Sequence, residues 1–371
     1  MSDRGVIDSG SLKRLLKRLI DIYSPTGKEE EILDYLYEYL TSQGLAVRKQ
    51  SVDEGRYNLI VAPEREIHLT FVGHLDTVIA YDLDNYGYDK KGDVITGLGA
   101  ADMKGGCAAM IEVFIALWKK NVPPPPVALA LVVGEEEDGD GAKVLTNSEF
   151  KSRWAVIGEP TDLMPCLNHY GYLEIQIITK GKRIHASMAR HGMNPIEAML
   201  KLIMHIAQYI ETKRPRLVYN IRDLFTSQAG FFVPDHCEAW VDMHIPPDIP
   251  LQEIVREIEQ LFERARPCDS PLEYTIRFHT TDAGYELSDQ GPILEDLKDI
   301  FLRRSRAWKP VSFVSHSDGN RLWVSGMNPI ILGPGQLDKA HAPDESISFR
   351  DIREAAEIYF ELADSIKEYI R

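Results

Sequence analysis

Seven apolar residues, Val127 to Val133 (V-A-L-A-L-V-V), end at Gly134 and pass at once into four acids, Glu135-Glu136-Glu137-Asp138. An unbroken apolar run of this length is the pattern of a strand buried on both faces, as in the middle of a sheet covered by helices. That pattern points to α/β layering. Acids directly after such a strand occupy the crevice at the strands' carboxyl ends, where open α/β sheets bind ligands. Two further stretches repeat the arrangement. Ile67 to Val72 (I-H-L-T-F-V) reads as a buried strand stopping at Gly73, followed by His74 and Asp76. In extended chain these two side chains project to the same side, so an imidazole can serve as a metal ligand with a carboxylate behind it. Trp154 to Ile157 reads as a strand that runs into Gly158-Glu159-Pro160.

The glycine-rich segment G-L-G-A-A-D-M-K-G-G sets Asp102 on a tight loop before a buried helix, Cys107 to Lys119. Neither G-x-x-x-x-G-K-[ST] nor G-x-G-x-x-G matches there, which argues against a nucleotide site. The first two helices are expected at about 11–22 and from a capping box on Thr26 and Glu29 to about 43. From about Asn168 the texture changes to alternating strands and amphipathic helices. Leu173 to Thr179, Asn194 to Glu211, Glu238 to His244, Leu251 to Ala265 and Tyr274 to His279, with one more strand near Phe231, would complete a β-α-β-β-α-β unit. The later segments, ending in a helix to about Tyr369, would return to the first domain.

A length of 371 residues exceeds what one core usually fills, so two domains are expected. These are a catalytic domain at 1–167 and 282–371 and an inserted domain at 168–281. The net charge of -15 argues against nucleic acid and anionic membranes as partners. No run reaches the roughly 18 to 20 apolar residues of a membrane span, and the basic-apolar N-terminal helix is unlike a signal peptide. Cys107, Cys166, Cys237 and Cys268 form no C-x-x-C pair and read as reduced thiols of a cytoplasmic protein.

Taken singly, each strand-end acid or imidazole is a weak signal. Together His74, Asp102, Glu135, Glu136, Glu159 and His341, with Asp76 behind His74, supply the nitrogen and oxygen donors of a zinc, manganese or cobalt site. Two histidines and a bridging carboxylate would serve two ions about 3.5 to 4 Å apart.

In its ordered motifs the chain resembles the M20 family of metallo-aminoacylases and carboxypeptidases. These motifs are S-P-T-G-K-E at Ser24, G-H-L-D-T-V at Gly73, G-A-A-D-M-K-G-G at Gly99, the Glu135 run, G-E-P-T at Gly158, H-x-x-x-x-x-x-G-x-N-P from His185, S-D-G at Ser317, G-P-G at Gly333 and A-H-x-P-x-E at Ala340. The branch it most resembles contains acetylornithine deacetylase, succinyl-diaminopimelate desuccinylase and lysine-biosynthesis carrier-protein hydrolases. The resemblance implies an α/β zinc-peptidase-like catalytic core with an inserted α+β, ferredoxin-like lid through which the protein forms a homodimer. It implies two divalent ions, zinc foremost with cobalt or manganese as substitutes, bridged by Asp102. His74 and Glu159 would complete one site, and Glu136 and His341 the other. Asp76 would hydrogen-bond the far nitrogen of His74, and Glu135 would be the general base. A one-residue gap would move these last two Glu roles to Glu136 and Glu137. His185 would be an oxyanion donor reaching the partner subunit's site, with His191 in reserve. Substrate contacts would fall to His191, Asn194, His244, Asp318 and Gly319.

The resemblance implies a substrate that is a small N-acyl amino acid or a short peptide. Glu159, where peptidase branches often carry aspartate, points to a deacylase. Two departures stand against ordinary N-acyl-amino-acid recognition: Phe231 and Phe232 replace the usual asparagine before Val-Pro, and His244 replaces the usual arginine of D-x-R. The alternatives are a di- or tripeptidase or carboxypeptidase on the same metal pair, and a silent binding protein that keeps metal without turnover.

Overall fold

Every residue of the Val127–Val132 strand is buried. In the computed structural model, which describes residues 7–120, 123–191, 194–227, 230–265 and 272–366, it lies between Tyr57–Val61 and Ile67–His74. Val127–Val132, Ile67–His74, Ser152–Ile157 and Asn328–Ile331 are successive neighbours and run parallel. Antiparallel strands flank them, Tyr57–Val61 and Arg48–Ser51 on one side and Cys166–His169 on the other. Parallel strands must be covered on both faces, which is why these read as continuous apolar runs.

Gly73 does not end its strand. Gly73 pairs with Leu131 and His74 with Val132, so the ladder continues to His74. The glycine is there for space: a Cβ on it would lie 2.6 Å from Cys107 Sγ. That thiol donates to the His74 carbonyl at 3.1 Å.

The Gly105–Lys120 helix is buried from Gly105 through Ile115 and again at Leu117. It packs between the sheet and the Ser9–Asp21 and Phe349–Ser365 helices, as expected of a helix apolar all round. Phe71 of the sheet meets Tyr359 of the last helix with ring centroids 5.5 Å apart. Burying a ring of this size contributes about 1.5 to 3 kcal/mol. The Tyr359 hydroxyl donates to the Leu332 carbonyl and so fixes the end of the Asn328–Ile331 strand.

The capping box at Thr26 does not form. The second helix spans Glu30–Ser42 with Glu29 as N-cap, and Thr26 Oγ1 instead donates to Asp76 Oδ2 at 2.8 Å. A buried carboxylate is a stronger acceptor for the hydroxyl than the role of helix cap is for its oxygen.

The chain divides into two compact units, Met1–Leu167, Leu287–Phe313 and Ser317–Arg371 forming one, and Asn168–Glu286 with Val314–His316 the other. In the second unit a four-stranded antiparallel sheet has the order Val218–Thr226, His236–Ile245, Gly171–Lys180, Glu273–Asp282. The Pro195–Lys213 and Leu251–Ala265 helices bury Met199, Leu202, Ile206 and Ile210, and Ile254, Ile258 and Phe262. Helical spacing of those positions faces them to Leu173, Ile175 and Ile177, which alternate along the central strand. This is the β-α-β-β-α-β order. Its second strand is Val218–Thr226, however, and not a segment near Phe231. Phe232–Val233 forms only a two-residue pairing with Ile184–His185. The unit extends past 281 because Asp282 still pairs with Tyr172, and Tyr285 and Glu286 pair with His169 and Asn168.

Cys107, Cys166 and Cys237 are buried free thiols, and Cys268 lies outside the described residues, as does the expected end of the last helix beyond 366. Among the described residues no helix is long and apolar enough to cross a membrane.

Candidate metal centre

The carboxyl ends of the parallel strands deliver the first donors. His74 is the last residue of its strand, Glu135 and Glu136 follow Val127–Val132, and Glu159 follows Ser152–Ile157. Asp102 arrives from the Gly97–Lys104 loop, in which Gly99 takes φ +75° and the Asp102–Met103 peptide is cis. His341 arrives from the loop before the last helix with φ +58°, a left-handed conformation uncommon for a residue with a Cβ.

These side chains converge. His74 Nε2 lies 3.0 Å from Asp102 Oδ1, 3.6 Å from Glu159 Oε1 and 3.9 Å from Glu135 Oε2. His341 Nε2 lies 2.9 Å from Glu136 Oε2 and 3.4 Å from Asp102 Oδ2. The two oxygens of Asp102 thus face different imidazoles. Among the described residues two sets of atoms have the spacing of metal donors, His74 with Asp102 and Glu136, and His74 with Glu135 and Glu159. Glu137 stands exposed, whereas Glu135 is buried and Glu136 nearly so.

Asp76 occupies the place expected of it but does different work. His74 Nδ1 meets the Asp76 backbone carbonyl at 3.0 Å, while the carboxylate stays 3.7 Å away. That carbonyl can only accept, so it sets the tautomer with the proton on Nδ1 and Nε2 free for a ligand. The Asp76 carboxylate, wholly buried, accepts instead from Glu135 N at 3.2 Å, Glu136 N at 3.0 Å and the Thr26 hydroxyl. It therefore clasps the loop that carries two of the other acids.

Burial opposes the charges of His74, His341, Asp102, Glu136 and Glu159. At His74 it is outweighed by Glu159, Asp102 and Glu135, which hold the imidazolium well above its ordinary range. His341 is pushed up to about 11 by its contacts with Asp102 and Glu136. Burial would raise Asp102, but His341 and His74 hold it below the usual carboxylate range. Burial and then the charge of Asp102 push Glu136 up to about 8 and drive Glu159 well upward. The acids compete for too little positive charge, which is the electrostatic signature of a cation site. Glu159 Oε1 is buried and has no hydrogen-bond partner among the described residues. An orphaned carboxylate oxygen beside an imidazole fits a divalent ion, since burying it without any partner is costly.

The remaining expected site residues are spread over both units. In the first, Asp318 is buried and is the N-cap of the Gly319–Val324 helix, whose first residue, Gly319, is also buried. In the second, His185 is exposed, its Nδ1 2.8 Å from Ser187 Oγ and across the short ladder from Phe232. Arg183 covers the Phe232 ring, and Phe231 is 88% exposed. Asn194 is committed to its own helix: its side chain accepts from Ile196 N at 3.0 Å as the N-cap of Pro195–Lys213. His244 meets Tyr172 in a tilted ring contact with centroids 5.3 Å apart, is pushed down to about 4 by burial and then by His316, and its Nδ1 is buried with no hydrogen-bond partner among the described residues. The His191 side chain lies outside the described residues.

Sequence reasoning gave no role to Glu345, which accepts hydrogen bonds from the Asp102 loop. Its only signal was its place at the end of A-H-x-P-x-E.

Over 338 residues the chain is 26% identical to an acetylornithine deacetylase of Vibrio campbellii, spanning 86% of this chain and 87% of that one. Its fold matches a tripeptidase from Staphylococcus aureus with a TM-score of 0.82 at 21% identity, covering 98% of this chain and 99% of that one. It also matches an M20 family metallo-carboxypeptidase from Sulfolobus solfataricus with a TM-score of 0.76 at 16% identity, over 96% and 99% of the two chains. The family model described as Peptidase family M20/M25/M40 matches residues 70–365, a span that holds every acid and imidazole of the cluster, and the chain belongs to this family of metal-dependent amide hydrolases.

Proposed function

We propose that this chain hydrolyses the amide bond of an N-acylated amino acid at a pair of divalent ions, releasing a carboxylic acid and a free amine. One observation carries the reading. The Asp102 oxygens face different imidazoles, and each imidazole has a second carboxylate of its own, Glu159 near His74 and Glu136 near His341. In this reading His74, Glu159 and Asp102 would hold one ion, and Glu136 and His341 with Asp102 would hold the other. The donors suit zinc, with cobalt or manganese able to substitute. Ions bound there would supply acidified water and a polarised carbonyl.

The chain's own groups do the rest. Glu135 takes a proton from the attacking water and delivers it to the amide nitrogen as the C–N bond breaks, so the base is regenerated. Asp76 holds Glu135 and Glu136 by their backbone N–H groups. His185 donates to the tetrahedral oxyanion from the partner subunit of a homodimer. His191, His244, Asp318 and Gly319 contact the substrate. The name of the Vibrio campbellii relative supports an acyl-amino-acid substrate.

A peptidase is the second reading, favoured by Phe231, Phe232 and His244 standing where acyl-amino-acid recognition usually has asparagine and arginine. The test is a panel of acetyl, succinyl, formyl and γ-glutamyl amides of ornithine, lysine and diaminopimelate beside unblocked di- and tripeptides, run on metal-reconstituted protein. The proposal expects the blocked amino acids to give the higher kcat/KM. Preference for unblocked peptides replaces it with the second reading. For the dimer, mixing His185→Ala with Glu135→Gln should regenerate activity that neither variant has alone. No recovery in a mixed dimer would mean that His185 does not act across subunits.

A further inference from the structure

The loop bearing Asp102 is held by a carboxylate that has no place in the reaction just described. Glu345 is 3% exposed. Its Oε2 accepts from Gly99 N at 2.8 Å, and its Oε1 accepts from Ala101 N at 2.8 Å and Asp102 N at 3.0 Å. Its own carbonyl accepts from Gly97 N at 3.2 Å. The next residue begins the Ser346–Ser348 strand, which pairs antiparallel with Val94–Thr96, Ser346 opposite Thr96. Side chain and main chain of one residue thus bind the whole approach to Asp102. Glu345 is also only four positions after His341 in the chain. It is the point where the Asp102 loop and the His341 loop are tied together.

Three backbone N–H donors converge on this one carboxyl group, one on Oε2 and two on Oε1, so both of its oxygens act as acceptors. Both oxygens are taken up by backbone donors, and among the described residues Glu345 is in neither set of atoms with metal-donor spacing, which separates it from the ligands.

We infer that Glu345 is a positioning residue: it fixes Asp102 relative to His341, and through them sets the affinity of the metal centre and the rate of the reaction. The inference rests on the ligand set proposed above. Glutamine has the same shape but turns one acceptor into a donor facing a backbone N–H, so the loop must shift. Removing groups that orient ligands typically costs about 10- to 100-fold in metal affinity or activity.

The experiment measures Co²⁺ affinity by chelator competition, the visible d–d spectrum of the Co²⁺ protein, and kcat and KM separately, on the full chain. Glu345→Gln is expected to weaken Co²⁺ binding and lower kcat by about 10- to 100-fold, to shift the d–d bands, and to leave KM little changed. Glu112→Gln is the control for plain loss of structure. Glu112 is another buried carboxyl, 6% exposed, bonded to Ser11 Oγ and Tyr39 OH at 3.0 and 2.5 Å. It should lose stability but keep its Co²⁺ affinity and spectrum. Unchanged Co²⁺ affinity and bands in Glu345→Gln, or the same loss in both variants, overturns the inference. Asp102→Ala separates the two levels. If it still binds Co²⁺ normally, the ligand set is wrong, whereas if it loses Co²⁺ while Glu345→Gln does not, only the positioning role fails. Should Glu345→Gln not fold, hydrogen exchange on the unmutated metal-free protein decides. Slow exchange at Gly99, Ala101 and Asp102 is expected, and rapid exchange at all three overturns a preorganised loop.

Discussion

Gly106 is the position at which a single methyl group should open the metal centre. It lies in the first turn of the buried helix, four residues after Asp102, where the helix passes the end of the Ser152–Ile157 strand. A Cβ built there would sit 2.2 Å from the Gly158 carbonyl oxygen, against 3.4 Å for the start of ordinary contact. The helix and the strand end must therefore part by about 1.2 Å. The obstacle is backbone and cannot rotate away. Gly158 immediately precedes Glu159, so the separation falls between Asp102 and Glu159, which now approach the same His74 nitrogen at 3.0 and 3.6 Å. Overpacking of this kind costs about 1 to 3 kcal/mol of stability. Misplacing a reacting group by about 1 Å costs about 100-fold in rate. Gly106→Ala should therefore bind Co²⁺ more weakly and lose about 100-fold in kcat while still folding, as read by chelator competition, steady-state hydrolysis and urea unfolding. A Gly106→Ala protein with wild-type metal affinity and rate would refute the idea that this backbone contact sets the spacing of the two acids.

Three further outcomes follow from the same geometry. Glu135→Gln should retain bound metal and lose about 100- to 10,000-fold in kcat, and full activity with metal in place would remove Glu135 as the base. Dialysis against a chelator should abolish hydrolysis, and Zn²⁺, Co²⁺ or Mn²⁺ should restore it; activity that survives verified metal removal would contradict the family's chemistry. Glu29, fully buried, is raised from 4.5 to about 7 by burial and then by the charge of Asp76. A carboxyl that holds its proton more tightly when folded makes stability fall as pH rises from 4.5 to about 7. The shift corresponds to about 3 kcal/mol at 1.36 kcal/mol per unit. Urea unfolding should show Glu29→Gln gaining on the wild type by up to about that amount across this window, and parallel pH profiles would exclude the linkage.

The donors were legible because each stands at a local landmark. His74 and Glu159 end apolar runs, Glu135 and Glu136 follow one, and Asp102 is bracketed by glycines. Strand periodicity is a short-range signal, and it also located the parallel core. What escaped depends on partners distant in the chain. Thr26 has the local pattern of a helix cap, yet its hydroxyl goes to Asp76, 50 residues away. Asp76 looked like a holder of His74, two residues back, but its carboxylate binds the loop at Glu135 and Glu136, 59 and 60 residues on. Glu345 meets its donors across more than 240 residues. No local period encodes such pairings. The Val218–Thr226 strand escaped for another reason: it is the exposed edge of its sheet and shows little apolar alternation.

Leu287 N donates to Leu167 O at 2.8 Å, so the chain leaves the first unit and returns to it at adjacent points. Everything between is, in architectural terms, a module spliced into one hairpin. His74, Asp102, Glu135, Glu136, Glu159 and His341 all fall outside the splice. A shortened chain in which a tight turn joins Leu167 to Leu287 should thus still take up Co²⁺ while lacking His185 and His244, which would divide the capacity to load metal from the capacity to bind a substrate and turn it over.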